Sequence, residues 1–260
     1  MDVPGAVGTT PLETSDISIA SGGAAIDAYL ARPVGTAPRA GLVVIHEAFG
    51  PVEHIHDLAR RFAAAGYDAV APNLYSREGA PDPGEMGSVM QKMLSLPDAQ
   101  VVADLEACAA TLRSLDHASG GVGSIGFCSG GRQSLLFACS SRAVDAAVDC
   151  WGGFLDRAAP DQVTTPDRPT PVLDLLGGLA CPLLVVGGEE DQNPSPATLG
   201  VLADRARQLG HTDVTVKIYA DAGHAFLADY RPSYRPKPAF ELWEEVLEFF
   251  AGPLGQKEES

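Results

Sequence analysis

One cysteine of this sequence lies in a frame that suits a nucleophile. Residues 126–131 read Gly-Phe-Cys-Ser-Gly-Gly, between a short apolar segment typical of a strand and a helix-compatible run. A G-x-nucleophile-x-G sequence at such a junction is typical of a nucleophile elbow, a sharp turn after a strand. The flanking glycines let strand and helix approach closely around Cys128. The pattern predicts a thiol nucleophile. Two alternatives are an inert buried Cys128 and a serine nucleophile at Ser129, which lacks a glycine two positions before it.

A nucleophile of this kind needs a base, and the base needs a group that orients it. In hydrolases built around such elbows, the acid follows the nucleophile and the histidine comes last. Here Glu189, Glu190 and Asp191 follow a predicted strand directly, and His224 follows the next predicted strand. Asp191 is preferred because the loop needs some length to reach the histidine, while both glutamates remain rivals. We therefore expect a Cys128–His224–Asp191 triad, in which His224 activates the thiol.

Composition limits the class of protein. The chain has 260 residues, 45% hydrophobic and 20% charged, which suits one large domain with a substantial core. Its net charge of −16 disfavours nucleic acid or an anionic membrane surface as a partner. The five cysteines form no CxxC pair, and the sequence shows neither a basic-then-apolar N-terminal pattern nor a long apolar run. We expect a reduced cytoplasmic protein without a cofactor or a metal.

The chain alternates between strand and helix patterns after an N-terminal hairpin. This alternation predicts an α/β fold with a mostly parallel sheet and helices on both faces. We expect a single domain over 15–252, with a flexible N-terminal arm over 1–14 and a polar tail over 253–260. Two segments rich in Pro, Gly, Asp and Thr, 77–97 and 154–180, interrupt the alternation after strand ends and are candidate cap loops.

The elements predicted from apolar periodicity are as follows. Strands are expected at 17–19, 25–31, 41–45, 67–71, 121–125, 146–151, 183–186 and 214–219. Helices are expected around 55–62, 101–115, 133–140, 197–209 and 238–250.

Several segments together resemble the dienelactone hydrolase family, the carboxymethylenebutenolidases. The likeness runs from about residue 19 to 250, so it covers most of the chain. The matching segments are 44–50 (VIHEAFG), 71–77 (APNLYSR), 126–131 (GFCSGG), 187–191 (GGEED) and 223–226 (GHAF). The resemblance implies an α/β-hydrolase fold and hydrolysis of a small ester or lactone through an acyl-enzyme on Cys128.

The resemblance also implies roles for residues next to the triad. Glu47 follows a predicted strand, and in this family that carboxylate interacts with the thiol and helps to deliver the thiolate when substrate binds. An ordinary loop glutamate is the alternative. The backbone N–H groups of Ala48 and Ser129 are expected to form the oxyanion hole.

Three arginines are candidates for binding a substrate carboxylate. Arg77 matches the position at which the family binds that group. A second arginine comes from the segment after the catalytic histidine, where Arg231 and Arg235 compete. The implied substrate is a small carboxylate-bearing lactone or ester, and the protein is expected to be a monomer or a small homo-oligomer.

Other readings of the same residues stay open. His46, Glu47, His54 and His56 could suggest a metal site, but 54 and 56 are spaced i, i+2 and do not share a helix face. The protein could be a related esterase for a neutral or bulkier substrate. It could also be a non-catalytic ligand-binding or redox-sensing relative, although no second cysteine lies near Cys128 to resolve an oxidised thiol.

Overall fold

The computed structural model describes residues 3–156 and 164–255. Its centre is an eight-stranded sheet in the order β1-β2-β4-β3-β5-β6-β7-β8. The strands are β1 Leu12–Ser21, β2 Ala24–Pro33, β3 Arg39–Ile45, β4 Asp68–Pro72, β5 Ala118–Phe127, β6 Ala146–Cys150, β7 Leu183–Gly188 and β8 Val214–Tyr219. The helices are α1 Glu53–Ala64, α2 Met86–Ser95, α3 Asp98–Arg113, α4 Ser129–Ser140, α5 Pro196–Gln208 and α6 Pro236–Leu254, with a 3-10 helix at Val172–Gly178.

The sheet is covered on both faces. From β4 to β8 the neighbouring strands pair in parallel, whereas β1 with β2 and β2 with β4 are antiparallel. Every residue of β3 is buried. Because successive side chains point to opposite faces, Val43 and Ile45 join one apolar core while Leu42 and Val44 join the other. The predicted fold class, an α/β-hydrolase type sheet between helices, is confirmed.

The N-terminal segment differs from the predicted arm over 1–14. Strand β1 begins at Leu12, which pairs with Pro33 of β2, so residues 12–14 belong to the sheet. The Pro4 carbonyl accepts a hydrogen bond of 3.2 Å from Nη1 of Arg61. The boundary was wrong because residues 12–14 alternate weakly in polarity, and their pairing with β2 is what makes them a strand.

The two predicted cap loops contain helical structure. Helix α2 lies inside 77–97, and the 3-10 helix lies inside 154–180, of which residues 157–163 fall outside the described part of the chain. Helix α2 is only ten residues long and is flanked by Pro and Gly, so its apolar spacing was too short to stand out. At the other end, α6 continues to residue 254 and takes in the first two residues of the predicted tail.

The parallel strands bring chemistry-bearing loops to one edge. Glu47 follows β3, Cys128 follows β5, Asp191 follows β7 and His224 follows β8. Since the carboxyl ends of parallel strands meet at the same edge, loops far apart in sequence converge there.

Within the described ranges, no helix is long and apolar enough to cross a bilayer.

Candidate active site

Cys128 has the strained backbone of a nucleophile elbow. Its φ is 58° and its ψ is −117°, a left-handed region that L-residues rarely occupy. The neighbouring glycines are required by space: a Cβ on Gly126 would lie 1.8 Å from the carbonyl oxygen of Gly130. The Cys128 N–H donates to the carbonyl of Cys150 at 3.0 Å, which fixes the turn against β6. The elbow therefore places the Cys128 thiol just after the end of β5, where it lines a cavity.

The three residues predicted as a triad lie together. Nδ1 of His224 lies 2.8 Å from Oδ2 of Asp191, and His224 also forms a side-chain hydrogen bond with Cys128. Asp191 is buried and its Oδ1 accepts the N–H of Asn193 at 2.9 Å, which fixes the carboxylate. The rival glutamates at 189 and 190 are exposed. This geometry favours Asp191 as the group that orients the imidazole.

The hydrogen bonds of His224 favour its protonated form. Burial lowers the pKa of His224, but the hydrogen bonds to Asp191 and Cys128, together with their charges, outweigh it and raise the pKa to about 10. Asp191 and Cys128 therefore both favour the imidazolium form of the ring. A positive group beside the thiol stabilises a developing thiolate.

The other four thiols differ from Cys128 in their surroundings. Burial raises the pKa of Cys139 and Cys181 to about 12, and it also raises the pKa of Cys108 and Cys150. Cys128 is half-buried, lines the cavity and contacts the imidazolium. Of the five cysteines, Cys128 is the one suited to nucleophilic chemistry.

The two residues predicted to supply the oxyanion-hole N–H groups line the same cavity. Ala48 and Ser129 both line it, and within the described ranges neither N–H donates to a protein acceptor. Ser129 is the first residue of α4, so its N–H also carries the positive end of the helix dipole. The hydroxyl of Tyr75 donates to the Ala48 carbonyl at 3.1 Å and holds that loop in place. This arrangement suits an oxyanion hole.

Glu47 is buried and paired with Arg231. Arg231 donates from Nη2 to Oε2 of Glu47 at 2.7 Å and from Nη1 to Oε1 at 3.3 Å, and the Tyr230 hydroxyl donates to Oε2 at 3.2 Å. Burial raises the pKa of Glu47, although Arg231 and Tyr230 act to lower it. In this structure Glu47 makes no hydrogen bond to Cys128 among the described residues. The contact that the resemblance implies is replaced here by the pair with Arg231.

The cavity above the thiol has a volume of about 470 Å³. Helix α2 covers part of it, and the wall is largely apolar. The apolar lining consists of Ala48, Phe49, Met86, Val89, Met90, Met93 and Phe154. Against this wall stand three guanidinium groups, those of Arg132, Arg168 and Arg231. A largely apolar cavity with a few polar groups beside a nucleophile is typical of a small-molecule site.

Two predicted substrate arginines are not placed in the cavity. Arg77 donates to both carboxylate oxygens of Asp104, at 2.7 and 2.8 Å, and to the Ser21 carbonyl at 3.1 Å. Arg235 donates to backbone carbonyls of its own loop, at residues 232 and 234. Neither side chain lines the cavity in this structure, where the carboxylate of Asp104 holds Arg77 at the hairpin side of α3.

Two cavity arginines were missed by the sequence analysis. Arg132 lies in the first turn of α4, four residues after Cys128, and that position alone could have predicted it. Arg168 lies in a segment without a recognisable pattern, and only the tertiary structure brings it to the cavity.

The side chain of His46 forms hydrogen bonds with backbone groups. Its Nδ1 lies 2.6 Å from the Glu47 carbonyl, and its Nε2 accepts the N–H of Leu74 at 3.2 Å. Burial lowers the pKa of His46 to about 4, so the ring is neutral. Within the described ranges, no three His, Cys, Asp or Glu side chains are grouped so that they could hold a metal ion.

The raised pKa of His224 gives a first testable prediction. Its folded value of about 10 lies above the ordinary 6.5, so the stability it contributes is complete below about 6.5 and is lost as pH rises through about 10. Cys128→Ala removes one hydrogen-bond partner and should lower the pKa of His224. The measurement is an NMR titration of the imidazole in both proteins, with His211 as an internal control. An unchanged His224 pKa in Cys128→Ala would contradict the contact.

The chain is similar to known proteins along most of its length. The model of the dienelactone hydrolase family matches residues 26–253. A Methylorubrum extorquens protein named "Putative carboxymethylenebutenolidase" is 38% identical over 230 residues, covering 86% of this chain and 76% of that protein. A Bradyrhizobium protein named "Probable 2-oxo-3-(5-oxofuran-2-ylidene)propanoate lactonase" is 30% identical, covering 89% and 91% of the two chains.

A solved structure is also similar to this chain. A Klebsiella pneumoniae protein described as "Putative Dienelactone Hydrolase" superposes with a TM-score of 0.85 at 32% identity. The match covers 93% of this chain and 99% of the Klebsiella chain. Such a family implies an enzyme that hydrolyses small esters or lactones. With an elbow cysteine, a strand-end histidine and this degree of likeness, the chain belongs to the dienelactone hydrolase family.

Proposed function

We propose that the protein hydrolyses a small carboxylate-bearing lactone or ester through a thioester on Cys128. The observation that carries this proposal is the contact series Cys128–His224–Asp191 at the base of the cavity. The nucleophile, its protonated histidine and the orienting carboxylate follow the logic of a catalytic triad.

The reaction proceeds in two steps. In the first, the Cys128 thiolate attacks the carbonyl carbon, and the N–H groups of Ala48 and Ser129 stabilise the oxyanion. The carbon–oxygen bond breaks, and His224 gives its proton to the leaving oxygen. In the second, neutral His224 takes a proton from water as the hydroxyl attacks the thioester. The carbon–sulfur bond breaks, the thiolate leaves, and the thiolate–imidazolium pair is restored.

Glu47 is proposed to assist when substrate enters. In the resting structure its carboxylate is held by Arg231, with a pKa that burial raises. An anionic group of the substrate near Arg231 competes with Glu47 for the guanidinium. Glu47 is then released near Cys128 and accepts the thiol proton, because a carboxylate with a raised pKa is a better base. This transfer forms the thiolate–imidazolium pair that attacks the substrate, and after deacylation Glu47 returns the proton to the Cys128 sulfur.

The charges of the cavity support an anionic substrate. The protein carries a net charge of −16, so its overall field repels anions. Three arginines nevertheless line the cavity: Arg132 is paired with Asp98 and Arg231 with Glu47, while Arg168 contacts no carboxylate among the described residues. The Bradyrhizobium relative is named for a lactone that is itself a propanoate.

We also propose that the enzyme is cytoplasmic, because a catalytic thiol stays reduced there.

A pulse of a slowly deacylated ester tests the proposal. We expect intact-protein mass spectrometry, after quenching in acid, to show one transient acyl group, and peptide mapping to place it on Cys128. Cys181→Ala is the matched control, because Cys181 is the other half-buried thiol and lies outside the cavity. Turnover without any acyl group on Cys128, or an acyl group on Ser129, would refute the thioester route. Binding without turnover would favour a ligand-binding or redox-sensing protein.

A further inference from the structure

One cavity arginine has a charge that no contacting carboxylate balances. Arg168 is 7% exposed and lines the cavity. Its Nε donates to the Leu96 carbonyl at 3.3 Å and its Nη2 donates to the Met93 carbonyl. Both acceptors are neutral and lie at the C-terminal end of α2. Among the described residues, Arg168 forms no ion pair within 4.0 Å, and Nη1 has no hydrogen-bond partner.

The other two cavity arginines are already neutralised. Arg132 donates to both oxygens of Asp98, at 2.7 and 3.0 Å, and Arg231 is paired with Glu47. Burial, followed by the charge of Arg132, lowers the pKa of Arg168 to about 10 against the opposing charges of Asp98 and Asp167, so Arg168 is still a cation at neutral pH. A buried cation with neutral partners is unfavourable by itself, and an anion beside it offsets that cost.

The backbone around Arg168 is fixed in advance. The Asp98 N–H donates to the carbonyl of Asp167 at 2.8 Å, which ties this segment to the start of α3. Thr165 and Arg168 exchange backbone hydrogen bonds of 3.1 Å in both directions. The guanidinium is therefore held in position before any ligand arrives, which lowers the entropy cost of binding.

The wall next to Arg168 is apolar. Met93, whose carbonyl holds the guanidinium, packs with Val89 and Ala48 in one cluster, and Phe49 and Phe154 lie against it. A ligand that reaches from Cys128 to Arg168 therefore passes methionine and phenylalanine side chains. We propose that Arg168 is the specificity-determining residue of this enzyme, binding a substrate carboxylate that an apolar segment joins to the scissile carbonyl. This inference rests on the proposed function, and it assigns to Arg168 the role that the family resemblance gave to Arg77.

The competing role for Arg168 is purely structural, because it also satisfies the last carbonyls of α2. Arg168→Gln separates the two roles, since its amide keeps N–H donors for these carbonyls but carries no charge. Arg168→Met is a second uncharged variant that matches the neighbouring side chains, and Arg168→Lys keeps a charge. Arg231→Gln is a comparison at one of the other two cavity arginines, and its effect includes the loss of the pair with Glu47. Circular dichroism and melting curves confirm that each variant is folded.

The experiment compares kcat/KM for the mono-p-nitrophenyl ester of glutaric acid and for its neutral methyl ester. Wild type should prefer the anionic ester, and Arg168→Gln should reduce kcat/KM for that ester by about 10- to 100-fold, mostly through KM. The loss for the neutral ester should be much smaller, and Arg168→Lys should retain part of the preference. Equal losses for both esters in Arg168→Gln and Arg168→Met would show a structural role and overturn the inference.

The design separates this inference from the proposed function. If hydrolysis depends on Cys128 but the anion preference disappears in Arg231→Gln and survives in Arg168→Gln, the thioester route stands and the Arg168 inference is overturned. If hydrolysis does not depend on Cys128, glutarate binding by titration calorimetry still tests Arg168. Weaker binding to Arg168→Gln than to wild type supports the inference, and equal binding overturns it.

Discussion

Cys128→Ala is expected to abolish hydrolysis of every accepted ester while leaving the fold intact. In the proposed mechanism this side chain supplies the nucleophile. It is half-buried and lines a cavity, so its loss should remove the covalent route without disturbing the core. Loss of the nucleophile from a triad lowers kcat by a factor on the order of 10⁴ or more. The measurement is steady-state turnover of an aryl ester, together with a melting curve.

Cys181→Ala and Cys128→Ser are the controls. Cys181→Ala should keep nearly full activity because Cys181 does not line the cavity. Cys128→Ser should be poor, because a serine hydroxyl does not ionise beside His224 as a thiol does. A Cys128→Ala enzyme that keeps more than roughly a tenth of wild-type kcat would show that another group is the nucleophile.

Asp191→Asn is expected to produce the second largest loss, on the order of 10³- to 10⁴-fold in kcat. The carboxylate contacts Nδ1 of His224 at 2.8 Å, stabilises the imidazolium and presents the other ring nitrogen to Cys128. An asparagine of the same shape removes that charge. The His224 imidazole can then adopt the tautomer that does not present the correct nitrogen to Cys128.

Glu189→Gln and Glu190→Gln are matched controls, because each removes one carboxylate from the same loop. Both side chains are exposed, and activity should change less than about threefold, as is usual for surface substitutions. A large loss in either variant, together with a small loss in Asp191→Asn, would move the orienting role to that glutamate.

The comparison of Arg77 with Arg168 shows where local patterns are insufficient. A motif placed Arg77 after strand β4, and the structure confirms that strand end. The direction of a long side chain, however, depends on which opposite charge is nearest, and Asp104 on α3 is that partner. No spacing in the sequence relates residue 77 to residue 104, since helix α3 reaches the hairpin only through the folded sheet. Arg168 shows the opposite outcome. No motif marks it, and its contacts with α2 and α3 in the folded structure place it at the cavity.

The pair formed by Glu47 and Arg231 has a similar origin. The sequence indicates a carboxylate after β3 and an arginine after the catalytic histidine, on loops about 180 residues apart. Their contact depends on β3 and β8 both ending at the same edge of the sheet. Whether Glu47 meets the thiol or the guanidinium in the resting state is decided by distances of a few ångströms, which no sequence pattern encodes.

The sequence by itself determined the α/β fold, the elbow at Cys128 and the order of the residues that follow it. These features are local: apolar periodicity selects strands and helices, and glycines at 126 and 130 are needed wherever a strand and a helix meet so closely. The tertiary structure alone decided which arginines face the cavity, that helix α2 covers it, and that Glu47 rests on Arg231. Those outcomes depend on long-range packing and on competition between buried charges, because a guanidinium pairs with a carboxylate only where the folded chain places one beside it.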